Sequence, residues 1–266
     1  MSLESRVAYW VDLGVRPYAD VLALQQQLVG LRQADSIPDV ILSVQHPLEV
    51  SFGNDNAHNI FSDKLLREAG SREAVIDYLA RQGIGFSHTS RSGGATVLSP
   101  GQYVFYPIVD ADRITGRSLG VSEYKSRIYR IMFRSLQALG VQNIHMGSQQ
   151  SFETRGERKD VWVQRDGKVL KMGSKGISLS GKVAYHGFSL YVDASCVKPF
   201  WLVHPCGYSA QEVAVTSVEH EVGRPVDARD VVAHVKNAVM NIFSYEKVME
   251  KSIDDITPGV MVNAVA

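Results

Sequence analysis

The sequence predicts an α+β fold, with one mixed β-sheet flanked by helices. Three observations predict it. Several segments repeat apolar residues at spacings of three and four, short β-branched runs lie beside tight-turn sequences, and the two kinds of segment do not alternate strictly. Strict alternation would be typical of a doubly wound parallel sheet. The chain has 266 residues and no internal repeat, so we expect a single domain spanning residues 1–266.

Four segments have the apolar spacing of amphipathic helices. They are predicted at residues 17–32, 71–83, 122–139 and 227–243. Gly140 follows the third segment, in the position where a glycine commonly ends a helix. Asp227 is a candidate N-cap of the fourth, because its carboxylate is suited to accept a hydrogen bond from a backbone N–H group of the first turn.

The strand predictions rest on runs of β-branched and aromatic residues. Residues 40–44 form a run that ends at His46-Pro47, where the proline fixes the end of the strand. Residues 103–109 form a second run, and the polar residues 110–112 that follow it are predicted to turn. Residues 146–160 are the most polar stretch of the chain and are predicted to form a loop.

Two β-hairpins are expected where a turn dipeptide separates two strand-forming runs. They join residues 161–163 to 169–171 through Asp166-Gly167, and residues 177–179 to 188–192 through Ser180-Gly181. Because hairpins pair strands in antiparallel fashion, they favour a mixed or antiparallel sheet.

Composition excludes several classes of protein. The 28 Lys and Arg residues balance 28 Asp and Glu residues, so no global positive field attracts nucleic acid. No apolar stretch approaches the roughly 20 residues that a membrane-spanning helix needs. Two cysteines in a chain of this size are too few for a disulfide scaffold, and the N-terminus has no secretory pattern. We expect a cytoplasmic protein that binds neither nucleic acid nor membrane.

A glycine-rich loop is the first candidate for a ligand site. It reads Arg91-Ser92-Gly93-Gly94-Ala95-Thr96 and is followed by Ser99-Pro100-Gly101-Gln102. Paired glycines let a backbone approach a ligand closely, and an adjacent arginine is suited to hold an anion. The loop matches neither a Walker A motif nor a dinucleotide fingerprint. Taken alone, it is also compatible with a β-turn that carries a solvated arginine.

Cys206 and Lys171 are candidates for nucleophilic chemistry. Cys206 lies between Pro205 and Gly207, so it is predicted on a bend rather than inside an element. A thiolate is the nucleophilic form of cysteine, and a nearby cation such as a lysine favours it. Singly, Cys206 is compatible with a buried inert thiol and Lys171 with a surface lysine in a hairpin. Cys196 has no turn around it and is interpreted as structural.

Two histidines lie where ligand sites are often built. His186 belongs to Tyr185-His186-Gly187-Phe188-Ser189-Leu190, a strand whose internal glycine indicates close approach by a ligand or by another backbone. His46 lies at a strand end, just before Pro47. A lone histidine in such a position is also typical of a hydrogen-bonded core residue.

The order of these motifs along the chain resembles the lipoyl(octanoyl) transferase family, also called lipoate-protein ligase B. The resemblance extends from about residue 10 to about residue 220, beginning at Trp10-Val11-Asp12-Leu13-Gly14 and including Thr216-Ser217. It implies the mixed-sheet fold that lipoate-protein and biotin–protein ligases share. It also implies an acyltransferase that moves an octanoyl group from acyl carrier protein to a lysine of lipoyl domains. Those domains belong to 2-oxoacid dehydrogenase complexes or to the glycine cleavage H protein.

The family resemblance also implies roles for individual residues. Cys206 and Lys171 correspond to its catalytic dyad, with a thioester intermediate on the cysteine. No cofactor and no metal are implied, because a thioester donor is already activated. Backbone N–H groups near Gly173 to Gly176 are expected to hold the oxyanion, and Gly187 is expected to leave room for the acyl chain. Residues expected to bind substrate are His46, Arg91, Ser92, Gly93, Gly94, Ala95, Thr96, Val97, Leu98, Ser174, Lys175, Gly176, His186, Gly187, Phe188 and Ser189.

Several positions depart from the family pattern and keep other functions open. Val97-Leu98 stands where the family has Tyr-His, and Lys175 replaces an apolar residue. Arg91-Ser92-Gly93-Gly94 is closer to the ATP-dependent lipoate ligases, although these do not need a nucleophile such as Cys206. An acyltransferase with another acyl chain or acceptor, such as a second lipoyl domain, is a further alternative. A binding protein that has lost turnover is the last.

Overall fold

The computed structural model describes residues 6–53, 60–118, 120–146, 160–204 and 214–257. Residues 147–159, which make up most of the predicted polar loop, lie outside the described residues. The Pro205-Cys206-Gly207 motif lies outside them as well. None of the described helices combines the length and the apolar character that crossing a bilayer requires.

The four predicted helices are confirmed. The α-helices are α1 (Tyr18–Gln33), α2 (Asp63–Ala69), α3 (Arg72–Arg81), α4 (Ala111–Thr115), α5 (Val121–Ala138), α6 (Val218–Val222), α7 (Ala228–Phe243) and α8 (Ile253–Ile256), and a 3-10 helix spans Ala194–Leu202. The predicted cap of α7 is also present, because the Asp227 side chain accepts from the Arg229 N–H group. The prediction that residues 110–112 form a turn is wrong, because Asp110 ends a strand and helix α4 begins at Ala111. The Asp110 side chain accepts from the Arg113 N–H group and so starts helix α4.

The predicted mixed sheet is confirmed. The strands are β1 (Val7–Val15), β2 (Asp39–Gln45), β3 (Glu49–Phe52), β4 (Gly85–His88), β5 (Ala95–Leu98), β6 (Gln102–Asp110), β7 (Ile144–Met146), β8 (Val161–Arg165), β9 (Lys168–Ser180), β10 (Val183–Tyr191), β11 (Ala214–Val215) and β12 (Lys247–Glu250). The main sheet has the order β12-β1-β2-β6-β10-β9-β8-β7, and β11 runs alongside β9. Strands β12, β1 and β2 are parallel, whereas the path from β2 to β7 is antiparallel. A small second sheet has the order β4-β3-β5.

Both predicted hairpins form, and they share one strand. Asp166 and Gly167 have φ angles of 51° and 70°, which is the left-handed pair that a type I′ turn requires. Strand β9 then continues for 13 residues into the second hairpin. The second partner strand, β10, begins at Val183, so it contains the predicted strand of residues 185–190 and extends beyond it at both ends. A single long strand therefore carries both Lys171 and the Ser174–Gly176 segment.

The main sheet has a hydrophobic core on each face. Helix α1 packs on one face through residues such as Val21, Leu24 and Leu28. Helices α5 and α7 pack on the other face, where Ile128, Met132 and other buried residues form the largest cluster. A third cluster lies between the small sheet, α2, α3 and the 3-10 helix. The small sheet thus stands beside the main sheet, and residues of both line one cleft.

Gly187 is required by the neighbouring strand rather than by a ligand. A Cβ atom at this position would collide with the carbonyl oxygen of Phe105 and lie 2.8 Å from Cδ of Pro107, both on β6. The expectation that its missing side chain leaves room for an acyl chain is therefore wrong. A glycine inside a strand indicates close approach either by a ligand or by another backbone, and here another backbone approaches.

Gly187→Ala is predicted to destabilise the fold by about 1–3 kcal/mol, because the backbone of β6 cannot move aside without breaking the sheet. Urea-induced unfolding measures this change. Gly30→Ala in α1 is the matched control, since a Cβ atom there meets nothing within 4 Å and alanine favours a helix. Equal stability of Gly187→Ala and the parent protein would contradict the close approach.

Candidate active site

A cleft opens between the small sheet and strands β9 and β10 of the main sheet. Its empty space is about 520 Å³ when the open mouth and the solvent in it are included. Its lining is largely apolar with a few polar groups. The lining residues are Tyr18, Ser51, Arg91, Gly93, Gly94, Ala95, Thr96, Leu98, Val104, Tyr106, Ser174, Lys175, Gly176, His186, Gly187, Phe188 and Ser189.

Most of the residues expected to bind substrate line this cleft, and three do not. Ser92 instead accepts a hydrogen bond from the Ile177 N–H group at 3.1 Å. Val97 is fully buried in the core of the small sheet. His46 lies behind the lining residue Tyr106, to whose hydroxyl oxygen its Nε2 is hydrogen-bonded at 2.9 Å. Substrate binding by the lining residues stays a prediction.

Four lining residues were missed by the sequence analysis, namely Tyr18, Ser51, Val104 and Tyr106. Tyr18 lies in α1, Ser51 in β3, and Val104 and Tyr106 in β6. Ser51 and Tyr106 lie in strands, where successive side chains point to opposite faces of the sheet. The sequence alone does not show that a cleft adjoins one of those faces.

Arg91 is part of the folded cleft wall rather than a solvated turn residue. Its Nη2 donates to the Ser51 carbonyl oxygen at 2.9 Å, and its Nη1 donates to the Ser92 carbonyl oxygen at 3.3 Å. The loop also lies tightly on β9, because a Cβ atom at Gly176 would come within 2.9 Å of Arg91 Cδ. The glycine-rich loop is thus fixed against the strand that carries Lys171.

His46 is a neutral, hydrogen-bonded histidine. Its Nδ1 lies 2.8 Å from the Arg16 carbonyl oxygen, which only accepts, so Nδ1 carries the proton. Its Nε2 therefore accepts from the hydroxyl of Tyr106, whose pKa is raised well above its usual value by burial. Burial lowers the pKa of His46 to about 4.

His186 is buried like His46 but differs in its hydrogen bonds. Only 1% of it is exposed, and its φ angle of 56° is unusual for a strand residue. Its ring stacks on Tyr185 at 4.6 Å, and neither ring nitrogen has a hydrogen-bond partner within the described part of the chain. Burial, with a contribution from the charge of Arg91, lowers the pKa of His186 to about 4. The cleft is therefore lined by a neutral imidazole.

Lys171 is buried, so the interpretation as a surface lysine of a hairpin is wrong. Its side chain has no exposed area, and its Nζ lies 2.8 Å from Oδ2 of Asp160. The centre of the Trp162 ring is 5.9 Å from Nζ. The other carboxylate oxygen of Asp160, Oδ1, accepts from the Lys175 N–H group at 3.1 Å. That N–H group is thus engaged and is not the oxyanion donor expected near Gly173 to Gly176.

Cys206 lies outside the described residues, but both described ends of its segment are fixed. His204 donates its N–H to the Ile60 carbonyl oxygen at 3.0 Å. On the other side, Ala214 and Val215 form β11, which pairs with Leu170 and Lys171. The first described residues after the Cys206 segment therefore lie beside Leu170 and Lys171.

Cys196 is structural, as interpreted from the sequence. It is 1% exposed and belongs to the cluster beneath the small sheet. Burial raises the pKa of its thiol to about 12, and the charge of Asp193 contributes. A thiol in that state is a poor nucleophile. Within the described ranges, no group of three or more His, Cys, Asp and Glu side chains is arranged to hold a metal ion.

His46 and His186 are predicted to make the protein less stable in acid. Their pKa values near 4 lie below the value of about 6.5 in an unfolded chain. Between these values the unfolded state binds more protons than the folded state, so the free energy of unfolding falls as pH falls. Each histidine contributes up to roughly 3 kcal/mol across this window.

Urea unfolding at several pH values between 7 and 4 measures this dependence. His186→Gln is expected to show a shallower decline than the parent protein. His220→Gln, at an exposed position, is the control and should decline like the parent. A decline that His186→Gln leaves unchanged would contradict the burial of a neutral imidazole.

The sequence matches a known protein family and several named relatives. Residues 17–240 match the lipoyl protein ligase A/B catalytic domain. The octanoyltransferase of Koribacter versatilis is 30% identical over 250 residues, covering 93% of this chain and 89% of that protein. A protein of Arabidopsis thaliana named as a mitochondrial octanoyltransferase is 29% identical and covers 90% of both chains.

The fold is also found in solved structures. A bipartite lipoate protein ligase from Thermoplasma acidophilum, described together with its E2 lipoyl domain, has a TM-score of 0.63 at 14% identity. The match covers 95% of this chain and 88% of that one. At this identity the likeness concerns the fold, which is the one that the sequence predicted. From the match over residues 17–240 and the 30% identical relative, the chain belongs to the lipoyl protein ligase A/B catalytic domain family.

Proposed function

We propose that the protein is an octanoyltransferase that moves an octanoyl group from acyl carrier protein to a lysine of a lipoyl domain. The observation that carries this proposal is the buried ammonium of Lys171, which shares strand β9 with the cleft wall Ser174–Gly176. The choice of octanoyl as the transferred group is supported by the relatives, which are named octanoyltransferases. The acceptor is a lipoyl domain of a 2-oxoacid dehydrogenase complex or the glycine cleavage H protein, and the compartment is the cytoplasm.

The first half of the reaction forms an acyl-enzyme. The Lys171 ammonium stabilises the thiolate of Cys206, which attacks the carbonyl carbon of the octanoyl thioester. The tetrahedral intermediate collapses, the bond to the carrier sulfur breaks, and a thioester to Cys206 remains. The departing carrier thiolate takes a proton from the Lys171 ammonium, which leaves Lys171 as a neutral amine.

The second half transfers the acyl group to the acceptor. The neutral amine of the acceptor lysine attacks the acyl-enzyme carbonyl, and the nitrogen gives up a proton to the neutral Lys171 amine. The bond to the Cys206 sulfur then breaks. The products are an amide, the Cys206 thiolate and the Lys171 ammonium, so the site returns to its starting state without an added cofactor.

The wall of the cleft suits an apolar chain. Leu98, Val104 and Phe188 contribute apolar wall, and Leu98 stands where the family pattern has a histidine. The neutral forms of His186 and Tyr106 add no charge to that wall. Burial of the acyl chain there supplies binding energy of about 0.8 kcal/mol for each buried methylene group.

An ATP-dependent lipoate ligase is the second candidate. The sequence Arg91-Ser92-Gly93-Gly94 favours this function. Of these four residues, all except Ser92 line the cleft. The solved ligase structure shares the fold. Such an enzyme activates a free acid as an adenylate and has no use for a cysteine nucleophile, so an assay for acyl attachment to Cys206 separates the two candidates.

Intact-mass spectrometry after mixing with octanoyl-acyl carrier protein is expected to show one octanoyl group on the parent protein. Cys206→Ala should show none, whereas Cys196→Ala, the control at the buried thiol, should be acylated. Adding a lipoyl domain should move the group to that domain. Absence of the adduct, together with ATP-dependent labelling of a lipoyl domain from free acid, would replace the proposal with the ligase function.

Lys171→Ala is predicted to slow formation of the adduct by roughly 100-fold or more, because it removes both the stabilising charge and the proton donor. Rapid-quench sampling followed by mass spectrometry gives the rate. Lys168→Ala on the same strand is the matched control, since Lys168 is exposed. Adduct formation by Lys171→Ala at the parent rate would remove Lys171 from the mechanism.

A further inference from the structure

We propose that Asp160 is a positioning residue that keeps Lys171 protonated and fixes its ammonium relative to the acyl cleft. The inference rests on the proposed octanoyl transfer and adds a third residue to the cysteine and lysine. Asp160 lies just before β8, beside the middle of β9. No sequence motif pointed to it.

The two oxygens of the Asp160 carboxylate hold two different points of β9. Oδ2 lies 2.8 Å from the Lys171 ammonium, and Oδ1 accepts the Lys175 N–H group at 3.1 Å. Lys175 itself lines the cleft. One carboxylate therefore ties the position of the lysine side chain to the position of the cleft wall.

Burial makes an anionic partner such as this carboxylate important for the charge of Lys171. The lysine side chain has no exposed area, and the Asp160 side chain is only 7% exposed. A buried ammonium without an anionic partner tends to lose its proton, because water no longer stabilises the charge. The Trp162 ring centre, 5.9 Å from Nζ, offers a cation–π contact, which is weaker than an ion pair.

Two other charged groups on the surrounding strands have partners of their own. On β8, Arg165 pairs with Glu221 of α6 at 3.1 Å. The Lys175 ammonium lies 5.1 Å from the centre of the Tyr129 ring of α5. Strand β11, which pairs with Lys171, contributes only uncharged residues. The carboxylate of Asp160, 2.8 Å from Lys171 Nζ, is thus an anion that faces this ammonium.

This arrangement acts in both halves of the proposed reaction. Before acyl transfer, the carboxylate holds Lys171 in the ammonium form that stabilises the Cys206 thiolate. After the carrier thiolate has taken its proton, the same carboxylate favours reprotonation and so makes the neutral Lys171 amine a stronger base toward the acceptor amine. In this proposal the carboxylate takes no part in the bonds that form or break.

Asp160→Asn tests the proposal, because the amide keeps the shape of the side chain and removes its charge. The measurement is the pH profile of octanoyl adduct formation in a single turnover. At high pH the rate falls as Lys171 loses its proton, and in the variant this fall is expected at least about one pH unit lower than in the parent. The ratio of variant to parent rate should therefore drop about tenfold across that interval and recover as pH is lowered. Asp166→Asn, at the turn of the same hairpin, is the control and should follow the parent.

A merely structural role for Asp160 would lower the rate by the same factor at every pH, and that result would overturn the proposal. So would an Asp160→Asn profile equal to that of the parent. If Asp160→Asn does not fold by circular dichroism, Asp160→Glu takes its place. Its rate is expected to be reduced but to fall at the same high pH as in the parent, and a fall at lower pH would overturn the proposal. Failure of the parent protein to form an adduct would sink the octanoyl transfer itself.

Discussion

A lysine ammonium with no exposed surface has to be neutralised inside the protein, and this constraint organises the site. The ion pair of 2.8 Å between Lys171 and Asp160 satisfies it. The pair holds the start of β8 against the middle of β9 at the point where the ladder between them shifts register, between Val161 and Trp162. The register shift between β8 and β9 and the buried ion pair therefore lie at the same place in the sheet.

Strand β9 connects the ion pair to the rest of the site. One edge of it pairs with β10 along eight residues, from Gly173 to Ser180. The other edge contacts β8, then Asp160, and then Ser92, whose Oγ accepts the Ile177 N–H group. The lysine and the cleft wall thus belong to one continuous strand that is hydrogen-bonded on both sides, which limits motion of the ammonium relative to a bound acyl chain.

Features that depend on neighbours along the chain could be predicted from the sequence, whereas features that depend on contacts between distant segments could not. The cap at Asp227 and the turn at Asp166-Gly167 depend on neighbours within four residues, so their chemistry predicts them directly. The positive φ of His186 depends on the strands beside it, and the role of Gly187 depends on Phe105 of another strand. Asp160 belongs to a polar stretch that predicts a loop, and only the fold brings its carboxylate to Lys171. The order of weak motifs nevertheless indicated the family, because it reflects the whole chain.

The central claim is that a buried cation activates one of the two thiols. Alkylation by iodoacetamide, followed by mass spectrometry for each cysteine between pH 6 and pH 9, tests it most directly. Cys206 is expected to react while Cys196, whose pKa burial raises to about 12, stays unmodified in the folded protein. Lys171→Ala is expected to slow the reaction of Cys206 most strongly at the low end of this pH range. A Cys206 rate that is the same with and without Lys171 at every pH would contradict the account.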